Sequence, residues 1–470
     1  MPDPARFRVE PKPFLYRLIR LVGKIVMAIF FRKIEVRHGE YIPDLGPIVF
    51  VANHPNSIMD AFVIGVAIKR KVNYIGHSGL FKHPLANAFL RNCGVIPIVR
   101  KGEQSDKIQD NTASFDACYQ ALEEGQTIGI FPEGTSDMLR QVKKVKTGAA
   151  RIILEAETRN KFQLGIAVIP IGLHFFSRSR FRSRVLVNIG KPILLNGYDE
   201  LIKNNNVEAV QSLTNEIQSR LEQITVNLHH IELDDLVRDV ELIFREELIG
   251  DESLIPPHVS NNVEEFIVTQ RIAECVDYYY QREPQRVQQM QDRIAAYKRK
   301  LKRLNLHDAM LQEKTVFSKI LAGSAKKFLL ALLGLPVALY GILNNFFPHG
   351  IAIYSAKKFL HERTKILTAL LFAGGPAFLF FYAIQTFTLF YYFGPWWAFL
   401  YLVSLPTTGL FALAYVQDLR EEQELISFSF VLFTNRRLIH KMRRERRMLI
   451  QEMNTVKTEY VAILQHQKGS

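Results

Sequence analysis

Apolar residues along this chain change their spacing twice, and each regime predicts a different kind of element. From about residue 34 to 195, short runs rich in Val, Ile and Phe alternate with stretches of helical period. The candidate strands are 48–52, 72–75, 95–99, 127–131, 167–171 and 185–189, and the helices between them include 112–123 and 149–158. Strands alternating with helices predict an α/β domain with helices covering a largely buried sheet. From Tyr198 to about Asn305 the apolar positions fall three or four apart instead. Val210, Leu213, Ile217, Leu221, Ile224 and Leu228 form one series, and Val287, Met290, Ile294, Tyr297, Leu301 and Leu304 another. Such series predict packed or coiled helices with no chemistry of their own.

Beyond residue 328 the runs lengthen to 328–347, 366–391 and 396–416. The second and third are long enough to span a hydrocarbon core of roughly 30 Å. They are joined by Phe393, Gly394 and Pro395 between Tyr391, Tyr392, Trp396 and Trp397, an aromatic interface belt around a tight turn. A transmembrane helical hairpin over 366–416 is therefore expected. Gly334, Pro336, Asn344 and Asn345 interrupt the first run, so it is expected to be re-entrant or interfacial. At the other end of the chain, residues 14–31 carry Arg17, Arg20 and Lys24 on one helical face and Leu, Ile and Val on the other. That pattern predicts an amphipathic helix lying in a membrane interface, with a surface helix packed on the core as the alternative. No cleavage site follows it. The expected organisation is an interfacial helix (1–33), an α/β domain (34–197), a helical region (198–325), a membrane region (326–416) and a basic tail (417–470).

Charge sharpens this layout. The chain carries a net +14, and residues 321–470 hold 16 Lys/Arg against 8 Asp/Glu beside the most apolar sequence. Cations flanking apolar spans fit anionic headgroups rather than nucleic acid. The loop with Lys357, Lys358, Arg363 and Lys365 is basic, as is the tail with seven Arg/Lys between Arg436 and Arg447. The positive-inside tendency places both on the cytoplasmic side with the α/β domain, which holds if only the hairpin spans. The three cysteines, Cys93, Cys118 and Cys275, have no ligand-like spacing, so neither a structural zinc nor a disulfide framework is expected.

Four blocks in the α/β region carry candidate chemistry. The first runs from His54, at the end of an apolar strand, to Asp60. A histidine charge-compensated by an acid takes protons from hydroxyls near neutral pH, although Asn53, Asn56, Ser57 and Asp60 also suit a plain helix cap. The second is Gly94-Val-Ile-Pro-Ile-Val-Arg100. The third is Phe131-Pro-Glu-Gly-Thr-Ser136, a strand running into a turn with Glu133, Gly134 and Thr135. The fourth is Val168-Ile-Pro-Ile-Gly172. In α/β sheets ligands gather at strand C-terminal ends, where these blocks offer a base, an arginine and free backbone N–H groups. That set suits a small phosphate-bearing alcohol.

In this order the blocks resemble the glycerolipid acyltransferase family, and more closely its fungal-type glycerol-3-phosphate/dihydroxyacetone-phosphate branch with bacterial relatives. Three details carry the closer resemblance. Five residues, not four, separate His54 from Asp60; no arginine follows Thr135; and Arg180-Phe-Arg-Ser-Arg184 precedes Val-Leu-Val-Asn-Ile-Gly190. The resemblance implies that His54 is a general base oriented by Asp60, that Arg100 grips the acceptor's phosphate, and that Glu133, Gly134 and Thr135 shape the acceptor pocket. Lys146 is then a second phosphate contact. It further implies direct attack on acyl-CoA or acyl-carrier protein as co-substrate, with no metal or other cofactor and with membrane lipids as surroundings. The acceptor hydroxyl is expected at sn-1 of glycerol-3-phosphate or dihydroxyacetone phosphate, with sn-2 of lysophosphatidate as the alternative. Two other classes compete: a serine hydrolase built on Gly76-His-Ser-Gly79, which has Leu80 where a nucleophile elbow needs a small residue, and a non-catalytic membrane scaffold.

Overall fold

The computed structural model describes residues 13–99, 111–177, 180–251, 253–304, 306–311, 316–358, 365–434 and 436–469. They divide into two compact units. One comprises Met1–Ile231, Val259–Phe266 and Arg363–Thr368; the other comprises Glu232–His258, Ile267–Glu362 and Ala369–Ser470.

The first unit opens with α1 (Pro13–Phe30) and β1 (Phe31–Arg37), followed by β2 (Ile48–Ala52), α2 (Ile58–Ala67), β3 (Asn73–His77), α3 (Pro84–Asn92) and β4 (Ile96–Ile98). Next come α4 (Thr112–Glu123), β5 (Thr127–Ile130), α5 (Gly148–Arg159), β6 (Ala167–Phe175), β7 (Ser183–Ile189), α6 (Tyr198–Asn204) and α7 (Asn206–Ile224). The strands form one seven-stranded sheet in the order β1-β7-β6-β2-β5-β3-β4. All pairings are parallel except β6 with β7. Central β2 is apolar at every position and wholly buried, as a strand covered on both faces must be.

Two boundaries differ from the sequence expectation, each for a packing reason. β1 starts at Phe31, inside the segment expected to be only an interfacial helix, and pairs with β7. Its charged residues hid it, because Glu35 finds partners distant in sequence. Glu35 accepts from Asn262 Nδ2 at 2.7 Å and from the Ser260 hydroxyl, while Arg184 donates to Asn262 at 2.6 Å and to Glu265 at 2.7 Å. Burial raises the Glu35 pKa, but these donors and Lys33 outweigh it and hold the carboxyl below its ordinary range. The unit also runs past residue 197 to Ile231. Leu213, Ile217 and Leu221 of α7 pack into the same core as Ala150, Ile153 and Val168, and periodicity alone cannot say which core an amphipathic helix joins.

Helix α1 turns Met27 and Phe30 inward, and Arg20 donates to the carbonyls of Ile68 and Lys69. Leu18, Leu21, Val22, Ile25 and Ile29 remain 40–56% exposed, an apolar face that a helix held only by its own core would not present.

The second unit contains α8 (Asp234–Leu248), α9 (Asn261–Arg282, its first residues belonging to the first unit), α10 (Pro284–Arg303) and α11 (Val316–Lys358), whereas α12 (Ile366–Ala369) belongs to the first unit except for Ala369. A π turn leads into α13 (Gly375–Phe393), followed by α14 (Pro395–Thr434) and α15 (Arg436–Gly469). Ala331–Lys358, Ile366–Phe393 and Pro395–Leu419 are each long and apolar enough to cross a membrane. The first was expected to be broken by its Gly, Pro and Asn residues, yet it is continuous helix. Neighbouring helices take up the polar groups: Tyr401 Oη donates to Asn344 Oδ1, Tyr382 Oη to Asn345 Oδ1 at 2.6 Å, and Asn345 Nδ2 to the Gly341 and Leu405 carbonyls. Gly341 is needed for this packing, since a Cβ there would stand 2.2 Å from the Thr408 carbonyl oxygen.

Before and after the apolar helices the chain forms one helical body. Arg446 on α15 donates through Nε to both carboxylate oxygens of Asp308 at 3.2 and 3.1 Å, and through Nη2 to the Ile243 carbonyl of α8. Tyr297 Oη of α10 donates to Asp308 at 2.7 Å. Both charged groups are buried.

Candidate active site

β2 and β5 are neighbouring parallel strands, so the turns that follow them emerge side by side at the C-terminal edge of the sheet. Asn53 extends β2 by using its side chain as backbone. Its Oδ1 accepts from the Leu173 N–H at 2.7 Å, and its Nδ2 donates to the Leu173 carbonyl at 3.2 Å. The next residue, His54, is thereby tied to β6 through its neighbour.

His54 is then held on both sides of its peptide. Its N–H donates to Glu133 Oε1 at 3.0 Å, and its carbonyl accepts from the Asp137 N–H at 3.1 Å. The imidazole stacks on Phe131 with centroids 4.2 Å apart. Nδ1–H donates to Asp60 Oδ2 at 2.8 Å, and the same oxygen accepts from the Asn56 N–H at 2.8 Å. The Asp60 side chain is wholly buried while the His54 side chain keeps 18% exposure, so the acid is sealed and the ring can be reached. Asp60 lies in the first turn of α2, where the helix dipole favours a carboxylate. The fifth residue of the His54–Asp60 spacing is absorbed by Ser57, whose φ of 53° and ψ of −135° lie in a region that favours glycine.

The turn after β5 supplies the facing wall. Glu133 Oε2 accepts from the Lys143 N–H at 3.2 Å, so one buried carboxylate ties Lys143 to His54. Burial pushes the Glu133 pKa up, and the two backbone donors only partly offset it. Gly134 has φ +72°, and a Cβ there would stand 2.6 Å from Lys146 Nζ, so both conformation and space require glycine. Lys143 Nζ pairs with Asp137 at 2.9 Å and reaches Thr135 Oγ1 at 3.5 Å.

The structure thus gathers His54, Asp60, Glu133, Gly134, Thr135 and Lys146. Arg100 lies outside the described residues. The Val168–Gly172 block is the buried middle of β6. Arg182 is committed to the Ala28 and Ile29 carbonyls and Arg184 to Asn262 and Glu265, so both act as ties within the fold. Ser78 opens a 3-10 turn without a left-handed φ, unlike a nucleophile elbow. Asp137 and Lys143 carry no sequence signal as site residues, and Asn53 and Phe131 stand in or beside the candidate blocks without a chemical role there, because each acquires its part through contacts made by the fold.

The Acyltransferase family model matches residues 33–174. Glycerol-3-phosphate O-acyltransferase 2 of Saccharomyces cerevisiae is 34% identical over 137 residues, covering 28% of this chain and 18% of that protein. Glycerol-3-phosphate O-acyltransferase 1 of the same yeast is 25% identical over 406 residues, covering 67% and 52%. A chloroplastic 1-acyl-sn-glycerol-3-phosphate acyltransferase of Arabidopsis thaliana is 24% identical over 181 residues, covering 38% and 43%. The chain therefore spans only part of the length of each of these relatives. Residues 33–174, the stretch that resembles the Acyltransferase family, contain His54, Asp60 and Glu133.

Proposed function

We propose that this protein is a membrane-bound acyltransferase that moves a fatty acyl group from an acyl thioester, acyl-CoA or acyl-carrier protein, to the sn-1 hydroxyl of glycerol-3-phosphate or dihydroxyacetone phosphate. The observation that carries the reading is the 2.8 Å bond from His54 Nδ1–H to buried Asp60, which leaves Nε2 as the ring nitrogen for an acceptor hydroxyl. Nε2 takes the hydroxyl proton as the oxygen attacks the thioester carbonyl. The C–S bond breaks, and the departing thiolate recovers the proton from the imidazolium. A base so placed contributes about 10²–10⁴ in rate. Glu133, Gly134, Thr135 and Lys146 line the acceptor side, and Arg100 and Lys146 serve the phosphate. The two yeast matches favour glycerol-3-phosphate as the acceptor. The plant match favours a second reading, in which the sn-2 hydroxyl of lysophosphatidate is acylated.

The anchor reads as a hairpin that returns the chain to the side it came from. Three helices suffice in length and composition, but α15, which follows them, is locked by Arg446 to Asp308, which precedes them. A chain whose two ends meet has crossed an even number of times. This supports two crossings, with the basic tail and the acyltransferase domain sharing the cytoplasmic face. The test is acyl transfer by washed membranes offered glycerol-3-phosphate, dihydroxyacetone phosphate and lysophosphatidate in parallel. His54→Ala is expected to abolish transfer while the chain stays in the membrane fraction; retained transfer overturns the mechanism.

A further inference from the structure

We infer that Lys143 is a specificity residue of this site, the cation that holds the acceptor's phosphomonoester in register with His54. The inference rests on the acyl-transfer reading above and adds a residue that neither periodicity nor the motif blocks single out. Lys143 reaches His54 by two separate routes. Through its backbone, its N–H donates to Glu133 Oε2 while Glu133 Oε1 accepts from the His54 N–H. Through its side chain, Nζ pairs with Asp137 at 2.9 Å, and the Asp137 N–H donates to the His54 carbonyl at 3.1 Å. These contacts place the Lys143 ammonium close to the base, where a cation can bind an acceptor's phosphate.

The surroundings suit a phosphomonoester. Lys143 Nζ lies 3.5 Å from Thr135 Oγ1, which supplies a neutral donor, and Lys146 Nζ crosses the same turn over Gly134. Two ammonium groups and a hydroxyl so bracket the Gly134–Thr135 turn beside His54, a donor set that matches a dianionic, three-oxygen headgroup. Asp137 has a second part in this arrangement. Its carboxylate occupies the ammonium when no acceptor is present, and the incoming phosphate takes that partner over. The Lys143 and Asp137 side chains are 37% and 31% exposed, so the exchange is open to solvent. A simple surface ion pair of this exposure contributes little to stability and predicts nothing about the acceptor.

These two accounts diverge in the sign of paired substitutions. With the full chain in washed membranes and saturating acyl-CoA, Lys143→Ala is expected to raise KM for glycerol-3-phosphate about 10–100-fold, with kcat within about threefold. Lys143→Arg restores most of the loss. Asp137→Asn removes the competing carboxylate, keeps the oxygen that accepts from the Leu139 N–H, and is expected to lower KM. Inorganic phosphate, as competitor, inhibits Lys143→Ala more weakly than the unchanged chain. The exposed neighbour Lys144 serves as control, its alanine variant leaving KM in place. The inference is overturned if Lys143→Ala and Asp137→Asn shift KM in the same direction, or if neither shifts it. Failure of the unchanged chain to acylate any phosphorylated acceptor is a different result, and defeats the acyl-transfer reading itself.

Discussion

Two buried carboxylates, one in each compact unit, meet their counter-charges in different ways. Asp60 faces an imidazole, whose second nitrogen is not used by that bond, and the His54 side chain keeps 18% exposure. Asp308 faces a guanidinium that stays charged at any pH a protein survives, and Tyr297 Oη donates to it as well. Both acids bear a similar desolvation cost. In the proposed reading the first pairing sets up a proton acceptor; the second fastens three helices together. Burial and charge pairing therefore do not identify a reactive site. What distinguishes one is a titratable partner with an atom left over.

The comparison can be broken by substitutions that should act on opposite observables. Asp60→Asn is expected to lower acyl transfer by about 10²–10⁴ while leaving thermal unfolding in detergent nearly unchanged, because His54 loses its orienting charge but the turn keeps its shape. A comparable loss of melting temperature would make Asp60 another fastener. Arg446→Ala should do the reverse, costing about 3–5 kcal/mol by stranding Asp308, with normal turnover per folded molecule. The double change Arg446→Met with Asp308→Leu is expected to recover much of that stability, and its failure to do so would argue that the pair contributes more than mutual neutralisation. A smaller effect comes from Ser57. Replacement by glycine relieves a strained φ and should stabilise by about 1 kcal/mol with activity retained, measured as a shift in the denaturation midpoint.

The smallest expected effect is a pH dependence through Glu133. Burial holds its folded pKa above the ordinary value of 4.5. The folded chain therefore binds this proton to higher pH than the unfolded chain. The stability it contributes is complete below the unfolded value and is lost as pH rises through the folded one. In Glu133→Gln this slope disappears, so the Tm advantage of the unchanged chain over the variant should shrink as pH rises through that window. An advantage that grows with pH would break the assignment.

How far the sequence could be read follows from where each element's partners lie. β2 and α4 have the bounds that periodicity predicts, because their burial pattern is written locally in Ile48–Ala52 and Thr112–Glu123. β1 escaped because its Glu35 is answered more than 200 residues away, by Ser260 and Asn262. His54, Asp60 and Glu133 were legible as residue types at characteristic spacing. Lys143 and Asp137 were not, since their relation to His54 exists only once the turns after β2 and β5 lie side by side. The continuity of α11 was equally hidden: Asn344 and Asn345 look like breakers until Tyr401 and Tyr382 are placed against them.

The clasp between Arg446 and Asp308 also dictates an order of events during synthesis. The two residues are 138 positions apart. At ordinary translation rates Asp308 waits roughly 10–30 s for its counter-charge. Throughout that interval burial of its carboxylate lacks the Arg446 counter-charge, and the apolar helices are made while that pair is still open. The Arg446–Asp308 pair therefore cannot form until all three apolar helices have been synthesised. A chain truncated before Arg446 would reach the membrane with a body held permanently ajar, as a target for proteolysis rather than a weakened enzyme.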